Sequence, residues 1–392
     1  MRRKVNRAGR AAALVILFAA LVCVNVGASA QARAGSSSTV PASRLARIRR
    51  GVNLSHWFAQ SPRRDYSEKH LREHTTARDI ELIKSLGFDH VRFTFEPAPL
   101  FEEARPGELK RDYLKHLDAA LDMLLGSGLA VVFDLHPSDE FKLRMRTDDR
   151  FVSDLADFWR ALARHLSRRD PERLLLEIIN EPMVEDPYRW MGIQARLAAA
   201  IREGAPRHTI VATGPRWSSV DQLLLLEPLA DRNVVYNFHF YEPHNFTHQG
   251  ATWGADFWPH LKGLPYPGSP ELVAPLVAAA EREQVRGVLK DYGEQRWDAA
   301  RVRREIGMAA EWARRRGVPL TCNEFGVYRA VTPAPDRLRW LADVRAALER
   351  EGIGWAMWDY AGGFGVAVRE KGGRAELDPE TAAALGLRAP RR

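Results

Sequence analysis

Eight short apolar runs punctuate this chain, separated by gaps too long for hairpins and filled largely by amphipathic segments. The runs cover 51–54, 90–95, 130–135, 174–179, 209–213, 234–240, 320–323 and 355–358. Parallel strands need crossovers of a dozen or more residues, usually helical, so this alternation constrains the fold more than any other feature. Segments 76–86, 112–125, 154–166, 191–203 and 301–316 carry helical periodicity; the second sets apolar side chains at 114, 117, 121, 124 and 125 ahead of Gly126. Eight strands with helices between them predict a (β/α)8 TIM barrel. A doubly wound open sheet is the rival, and no glycine-rich phosphate fingerprint accompanies it.

The stretch 260–298 is too long for a plain connection between the sixth and seventh runs. It holds Leu264-Pro265-Tyr266-Pro267-Gly268 and then an amphipathic segment, 271–290, and is read as an insertion within one domain. The domain is expected over 47–388. Ahead of it, 31–46 is rich in Ala, Gly, Ser, Thr and Pro, a composition expected to form a flexible tether.

Residues 1–30 read as a secretory signal peptide. Arg2, Arg3, Lys4, Arg7 and Arg10 precede an apolar run, 11–26, and Ala28-Ser29-Ala30 is a small-x-small cleavage pattern. A retained membrane anchor and a lipoprotein route through Cys23 are the competing readings. Cleavage would remove five basic and no acidic residues, lowering the formal charge from +8 to +3, so the basic balance gives no argument for a nucleic-acid partner. It would also leave Cys322 as the sole cysteine, without an intramolecular disulfide. A secreted protein, periplasmic or extracellular, with no membrane association after cleavage is expected.

In such a barrel, catalytic groups come from the C-terminal ends of strands. Arg92 lies in HVRFTF, His136 closes VVFDLH, Asn180 and Glu181 follow LLLEII, His239 and Tyr241 lie in YNFHFYEP, Asn323 and Glu324 close LTCNE, and Trp358 lies in WAMWDY. Singly each has a plain explanation: a structural histidine, a buried arginine, a core tryptophan. Together they set two glutamates on the fourth and seventh strands inside a polar ring. Paired carboxylates suit glycosidic cleavage, one protonated to serve the leaving oxygen and one ionised to attack or to activate water. Arg92 is expected to keep Glu324 ionised, while burial and the Glu324 charge raise the pKa of Glu181.

RGVNLSHW, DHVRF, VVFDLH, LLLEIINEP, YNFHFYEP, LTCNEFGVY and WAMWDY together resemble glycoside hydrolase family 5, the cellulase-like family of the retaining (β/α)8 clan, from about residue 50 to 365. The resemblance implies Glu181 as acid/base and Glu324 as nucleophile. It implies Asn180 at the sugar 2-hydroxyl, Arg92 and Tyr241 orienting the nucleophile, His239 and His136 as site histidines, and Trp358 as the platform under the sugar. A carboxyl separation of about 5 to 5.5 Å would follow from retention. The loop 246–250 resembles one in bacterial cellulase-like members and favours β-1,4-glucan, so the expected activity is an endo-β-1,4-glucanase. A β-mannanase, a β-1,3-glucanase, an exo-β-glucosidase and a non-catalytic glycan-binding protein are the alternatives. The partner is a β-linked polysaccharide or oligosaccharide, with no cofactor and no metal, and a monomer is expected.

Trp57, Trp217 and Trp253 follow the first, fifth and sixth strands, where indole faces can stack on pyranose rings or simply pack loops. His70-Leu71-Arg72-Glu73-His74 matches a two-histidine metal pattern, but its charged neighbours offer no apolar support for a buried ion. There is no G-x-S-x-G for a serine nucleophile. Cys322, alone in an apolar run, is expected to be inert core.

Overall fold

The computed structural model describes residues 38–369 and 373–388; the leader and residues 31–37 of the tether lie outside them. Eight parallel strands close into a barrel: β1 Arg50–Phe58, β2 His90–Phe95, β3 Ala130–Leu135, β4 Leu174–Glu177, β5 Thr209–Thr213, β6 Val234–Phe240, β7 Leu320–Phe325 and β8 Gly354–Met357. β1 pairs with both β2 and β8, which completes the ring. A two-stranded antiparallel hairpin, β9 Ala367–Arg369 and β10 Ala375–Leu377, follows. The (β/α)8 expectation holds.

Strand alternation explains how one set of residues builds both the core and the site. On β3, Val131, Phe133 and Leu135 point outward into the main apolar cluster beneath the helices, as do Leu174 and Leu176 on β4 and Val234, Tyr236, Phe238 and Phe240 on β6. The inward positions change character along each strand. Val132, Leu175, Val211 and Val235 form an apolar floor. Two residues further on, Asp134, Glu177 and Asn237 form a polar layer with Asn53, Arg92 and Asn323, all buried. Two residues further again come His136 and His239, at the mouth.

The helices start where side chains can satisfy their free N–H groups. Asp148 accepts from Phe151 N ahead of Asp149–Leu166, Asp186 from Tyr188 N and Arg189 N ahead of Pro187–Gly204, and Asp298 from Arg301 N ahead of Ala299–Arg316. The last of these ends at Gly317 in the left-handed conformation, φ 62°, a turn that glycine makes without a Cβ penalty. The insertion between β6 and β7 is present. Its expected single amphipathic segment is instead two helices, Pro270–Ala279 and Glu283–Gln295, with Ala280 extended between them and Arg286 Nη1 donating to the Ala280 carbonyl.

The tether expectation needs correcting from residue 38 onward. Val40 and Ile48 pack against the floor valines, Thr39 N donates to Arg232 O at 3.0 Å, and a short helix, Ala42–Leu45, carries buried Arg44. Arg44 donates to Glu172 Oε1 (2.9 Å), the Arg207 carbonyl (2.7 Å) and Thr209 Oγ1 (3.0 Å). An open barrel bottom leaves apolar side chains wet, and this segment covers them; its average composition hid the few residues that do so. No helix among the described residues is long and apolar enough to cross a membrane.

Candidate active site

Arg92 organises the polar layer. All five of its N–H donors have an acceptor: Nε and Nη2 grip Glu177 with two 2.9 Å bonds, Nη2 also reaches Asn180 Oδ1 (3.0 Å), and Nη1 reaches Asn53 Oδ1 (3.0 Å) and Glu324 Oε1 (2.6 Å). Asp134 Oδ2 is also 3.0 Å from Nη2. Burial works against the Arg92 charge, but Asp134, Glu177 and Glu324 outweigh it and hold its pKa well above the usual range. The carboxylates share one cation. Burial raises the pKa of both Asp134, to about 6, and Glu177, with Arg92 opposing in each case.

The network also fixes which nitrogen of each histidine carries the proton. Asn323 N donates to Asn237 Oδ1 (2.9 Å), which turns Asn237 Nδ2 toward His239 Nε2 (3.3 Å) as a donor. The His239 proton therefore sits on Nδ1, 2.9 Å from Glu181 Oε1 and 3.6 Å from Glu324 Oε2. By the same logic Asn180 accepts from Arg92, so its Nδ2 donates to His136 Nε2 (3.2 Å) and His136 Nδ1 donates to Asp134 Oδ2 (2.8 Å). Burial lowers the pKa of His239 to about 4 and of His136 to about 3, so both rings are neutral near pH 7.

Glu181 and Glu324 meet at the mouth from opposite sides of the barrel. One carboxylate oxygen of each, with a ring nitrogen of His239, lies within 4.8 Å of the others. Their surroundings differ. Glu324, 6% exposed, accepts from Arg92 through Oε1 and from the Tyr241 hydroxyl through Oε2 (2.9 Å). Glu181 has a fifth of its side chain open to the cleft and, among the described residues, accepts only from His239. Burial raises the Glu181 pKa; the Lys142 and Arg92 charges, and His136 and His244 where protonated, oppose it. Glu181 follows Asn180, whose N–H bonds the Leu135 carbonyl, and adopts φ 39°, a left-handed geometry that costs a non-glycine residue of order 1–3 kcal/mol.

The cleft above these groups has a volume of about 1240 Å³ and is lined by Asn180, His136, Tyr241 and Trp358 as well as the two glutamates. Trp358 stacks on the His136 ring at 5.7 Å and 18°, and packs with Tyr241 and Phe364. Glu181, His239 and Glu324 are, among the described residues, the one group of His, Cys, Asp or Glu side chains close enough to share a cation. The Arg92 charge, 2.6 Å from Glu324, disfavours a second cation there.

The sequence model of the cellulase family, glycosyl hydrolase family 5, matches residues 51–363. The chain belongs to glycoside hydrolase family 5. Endoglucanase C of Acetivibrio thermocellus is 31% identical over 321 residues, covering 79% of this chain and 90% of its own length. Cellodextrinase A of Ruminococcus flavefaciens is 26% identical, covering 78% and 83%. The fold matches Thermotoga maritima Cel5A, solved in complex with mannotriose, with a TM-score of 0.70 over 87% of this chain and 98% of that one at 23% identity. As a family 5 member the protein is a glycoside hydrolase.

Arg92, His136, Asn180, Glu181, His239, Tyr241, Glu324 and Trp358, all expected at the site, converge there in this family 5 barrel. Trp217 and Trp253 line the cleft and are each 47% exposed. Trp57 is a correction. It is 2% exposed, donates through Nε1 to the Leu71 carbonyl at 2.7 Å and packs on Phe58 and Phe93, so its indole face is unavailable to a sugar. β1 runs on to Phe58, four residues past the expected end, which turns Trp57 into the wall. The His70 pattern holds no metal group: His70 Nε2 is 3.1 and 3.0 Å from the His56 and Trp57 carbonyls. Cys322 is buried, and burial pushes its thiol pKa well up.

Sequence reasoning missed Glu177, Asp134, Asn53 and Asn237, the supports beneath the reacting pair. The signal was present as period two: Asp134 precedes His136, and Asn237 precedes His239, by two residues on the same inward face.

Proposed function

We propose that this enzyme is a secreted, retaining endo-β-1,4-glucanase in which Glu181 is the acid/base and Glu324 the nucleophile. The observation that supports this most is the close approach of the two carboxylates in unlike surroundings. The approach suits a retaining geometry, in which no water fits between nucleophile and sugar.

Arg92 and the Tyr241 hydroxyl stabilise the Glu324 carboxylate, which attacks the anomeric carbon as the glycosidic bond breaks. The leaving oxygen takes the Glu181 proton. With Oε1 occupied by His239 N–H, that proton sits on Oε2. Water then attacks the glycosyl-enzyme, gives a proton to Glu181 and releases Glu324. Asn180, which accepts from Arg92 at Oδ1 and donates to His136 through one Nδ2 hydrogen, has a second Nδ2 hydrogen to offer the sugar 2-hydroxyl.

The glucan assignment rests on Endoglucanase C, and the secreted location on the leader pattern of residues 1–30. A β-mannan substrate is the second reading, because Cel5A, of like fold, was solved with mannotriose. The test is reducing-sugar release from β-1,4-glucan, mannan, xyloglucan and β-1,3-glucan, with Glu324→Gln as control. Greatest activity on β-1,4-glucan and a loss on the order of 10³ or more in the variant are expected. NMR of the first product should show the β-anomer. An α-anomer, or a Glu324→Gln variant within threefold of the parent, defeats the mechanism; release from mannan alone defeats the substrate.

A further inference from the structure

The loop after β6 is bonded along its whole length. The Gln249 side chain, fully buried, donates to the Phe246 (3.1 Å) and Leu264 (3.3 Å) carbonyls and accepts from Leu264 N (2.8 Å). Gly250 N donates to the Trp258 carbonyl (2.8 Å), Tyr328 N to the Thr247 carbonyl (2.8 Å) and Trp258 Nε1 to Asn245 Oδ1 (3.2 Å). Gly250 turns at φ 79° with Val331 where a Cβ would fall, so the turn requires glycine. These bonds tie residues 245–250 to the insertion and to the loop after β7, and what they hold still is His248.

His248 is half-buried in the cleft wall and its ring is clamped. It stacks on Trp258 at 4.8 Å and 22°, with the His244 ring 5.5 Å away and nearly parallel, and it meets Tyr241 edge to face at 5.1 Å. The Tyr241 hydroxyl bonds Glu324 at 2.9 Å, so a single phenol ring separates His248 from the reacting carboxylate. Phe364, 5.6 Å from His248, packs with the same Tyr241 and with Trp358. His248 thus stands beside the cleavage point, and the steps above leave it unused.

Its neighbours decide where its proton sits. Thr247 Oγ1 is 2.6 Å from the Tyr241 carbonyl, a contact between two oxygens that the hydroxyl proton must bridge. With that proton committed, Thr247 Oγ1 can only accept from His248 Nδ1, 3.0 Å away. Nδ1 therefore carries the hydrogen of the ring. Burial lowers the His248 pKa to about 3, so the ring is neutral near pH 7. Nε2 is left with a lone pair, no partner among the described residues and an opening on the cleft. Packing alone would be served as well by phenylalanine; a bare acceptor nitrogen is what histidine adds. Resting on the reading of this cleft as the seat of glycosidic cleavage, we infer that His248 is a substrate-binding residue whose Nε2 accepts a hydrogen bond from a glycan hydroxyl beside the cleavage point.

The experiment measures kcat/KM for the parent and His248→Phe on oligosaccharides of the sugar selected by the panel above. One is intact, and the others each lack a single hydroxyl on the two sugars flanking the scissile bond. His248→Phe keeps a ring between Trp258 and Tyr241 and removes the nitrogens. The parent should lose on the order of tenfold when one particular hydroxyl is missing; His248→Phe should lose a similar factor on the intact substrate and nothing further on that deoxy one. Effects of deoxygenation on intrinsic reactivity cancel in this comparison. A parent and variant that discriminate alike among the hydroxyls overturn the inference, since a ring that only packs cannot tell one deoxy sugar from another. Should His248→Phe not fold, a crystal of Glu324→Gln soaked with the intact oligosaccharide decides: a sugar oxygen within about 3.2 Å of Nε2 supports the inference, and a bound glycan that leaves Nε2 to water overturns it. Failure of the mechanism shows separately, as an active Glu324→Gln, and leaves the comparison of parent and His248→Phe readable.

Discussion

Arg92 and Glu177 face one another at the centre of the barrel through two parallel 2.9 Å hydrogen bonds, and neither side chain is exposed at all. The pair sits directly under the reacting carboxylates, and its geometry fixes theirs. Arg92 reaches Glu324 and Asn180 with the donors that Glu177 leaves over, so a displaced Glu177 would let the guanidinium rotate.

Replacing Arg92 by Met should therefore damage more than catalysis. Asp134, Glu177 and Glu324 would remain buried without their cation, a loss of about 3–5 kcal/mol for a broken buried pair. The missing cation would raise the folded pKa values of Asp134 and Glu177 further above their unfolded values. A raised carboxyl pKa adds stability below the unfolded value and loses it as pH rises through the folded one. Urea unfolding should show the Arg92→Met deficit narrowing from pH 7 to pH 5; a constant deficit would mean the carboxylates had found other partners.

The three tryptophans outside the central ring should separate cleanly by assay. Trp57→Ala removes a buried indole and its bond to Leu71, and should cost about 3–5 kcal/mol in unfolding free energy. Trp217→Ala and Trp253→Ala remove half-exposed rings from the cleft. They should leave Tm within a few degrees of the parent and raise KM several-fold on polymeric substrate. Equal loss of stability in all three would show that Trp217 and Trp253 pack loops.

Much of this was legible in the sequence because barrel geometry writes itself as period. Outward-facing Val131, Phe133 and Leu135 announce a strand, and His136 after them announces its C-terminal end. Glu177 was illegible for the same reason: a single carboxylate within LLLEII reads as a flaw in an apolar run until the inward face is followed two residues at a time. Trp57 misled because the strand end was placed at Leu54, and a strand that continues converts a mouth residue into a wall residue. The covering segment around Val40 and Ile48 was hidden by averaging over small polar neighbours. What it covers, the floor of Val132, Leu175, Val211 and Val235, exists only in three dimensions.

Acid stability should depend on buried neutral histidines. His208 is 1% exposed, and burial, together with Arg44, Arg207 and Arg202, lowers its pKa to about 4. A depressed folded value means the unfolded chain binds the extra proton first, so His208 adds stability above about pH 6.5 that is lost as pH falls toward 4. His208→Phe should flatten the fall in unfolding free energy across that window without altering kcat/KM at pH 7. A slope equal to the parent's would clear His208 of any part in acid unfolding.

The floor of the barrel provides the last test, since it separates stability from chemistry by the length of the strands. Ile48 is 3% exposed and packs, with Val40, on the inward valines at the end opposite the cleft. Trimming it to Ala removes three buried carbons where the strands cannot close in, because the ring of parallel hydrogen bonds fixes their spacing. A loss of about 2–5 kcal/mol is expected. The Arg92 network and both glutamates lie layers above and keep their contacts, so KM and kcat at 25 °C should stay within about twofold of the parent. Urea unfolding alongside steady-state kinetics checks both halves. If Ile48→Ala lowers kcat in step with stability, the floor and the mouth are coupled, and the layers of the barrel interior do not act independently.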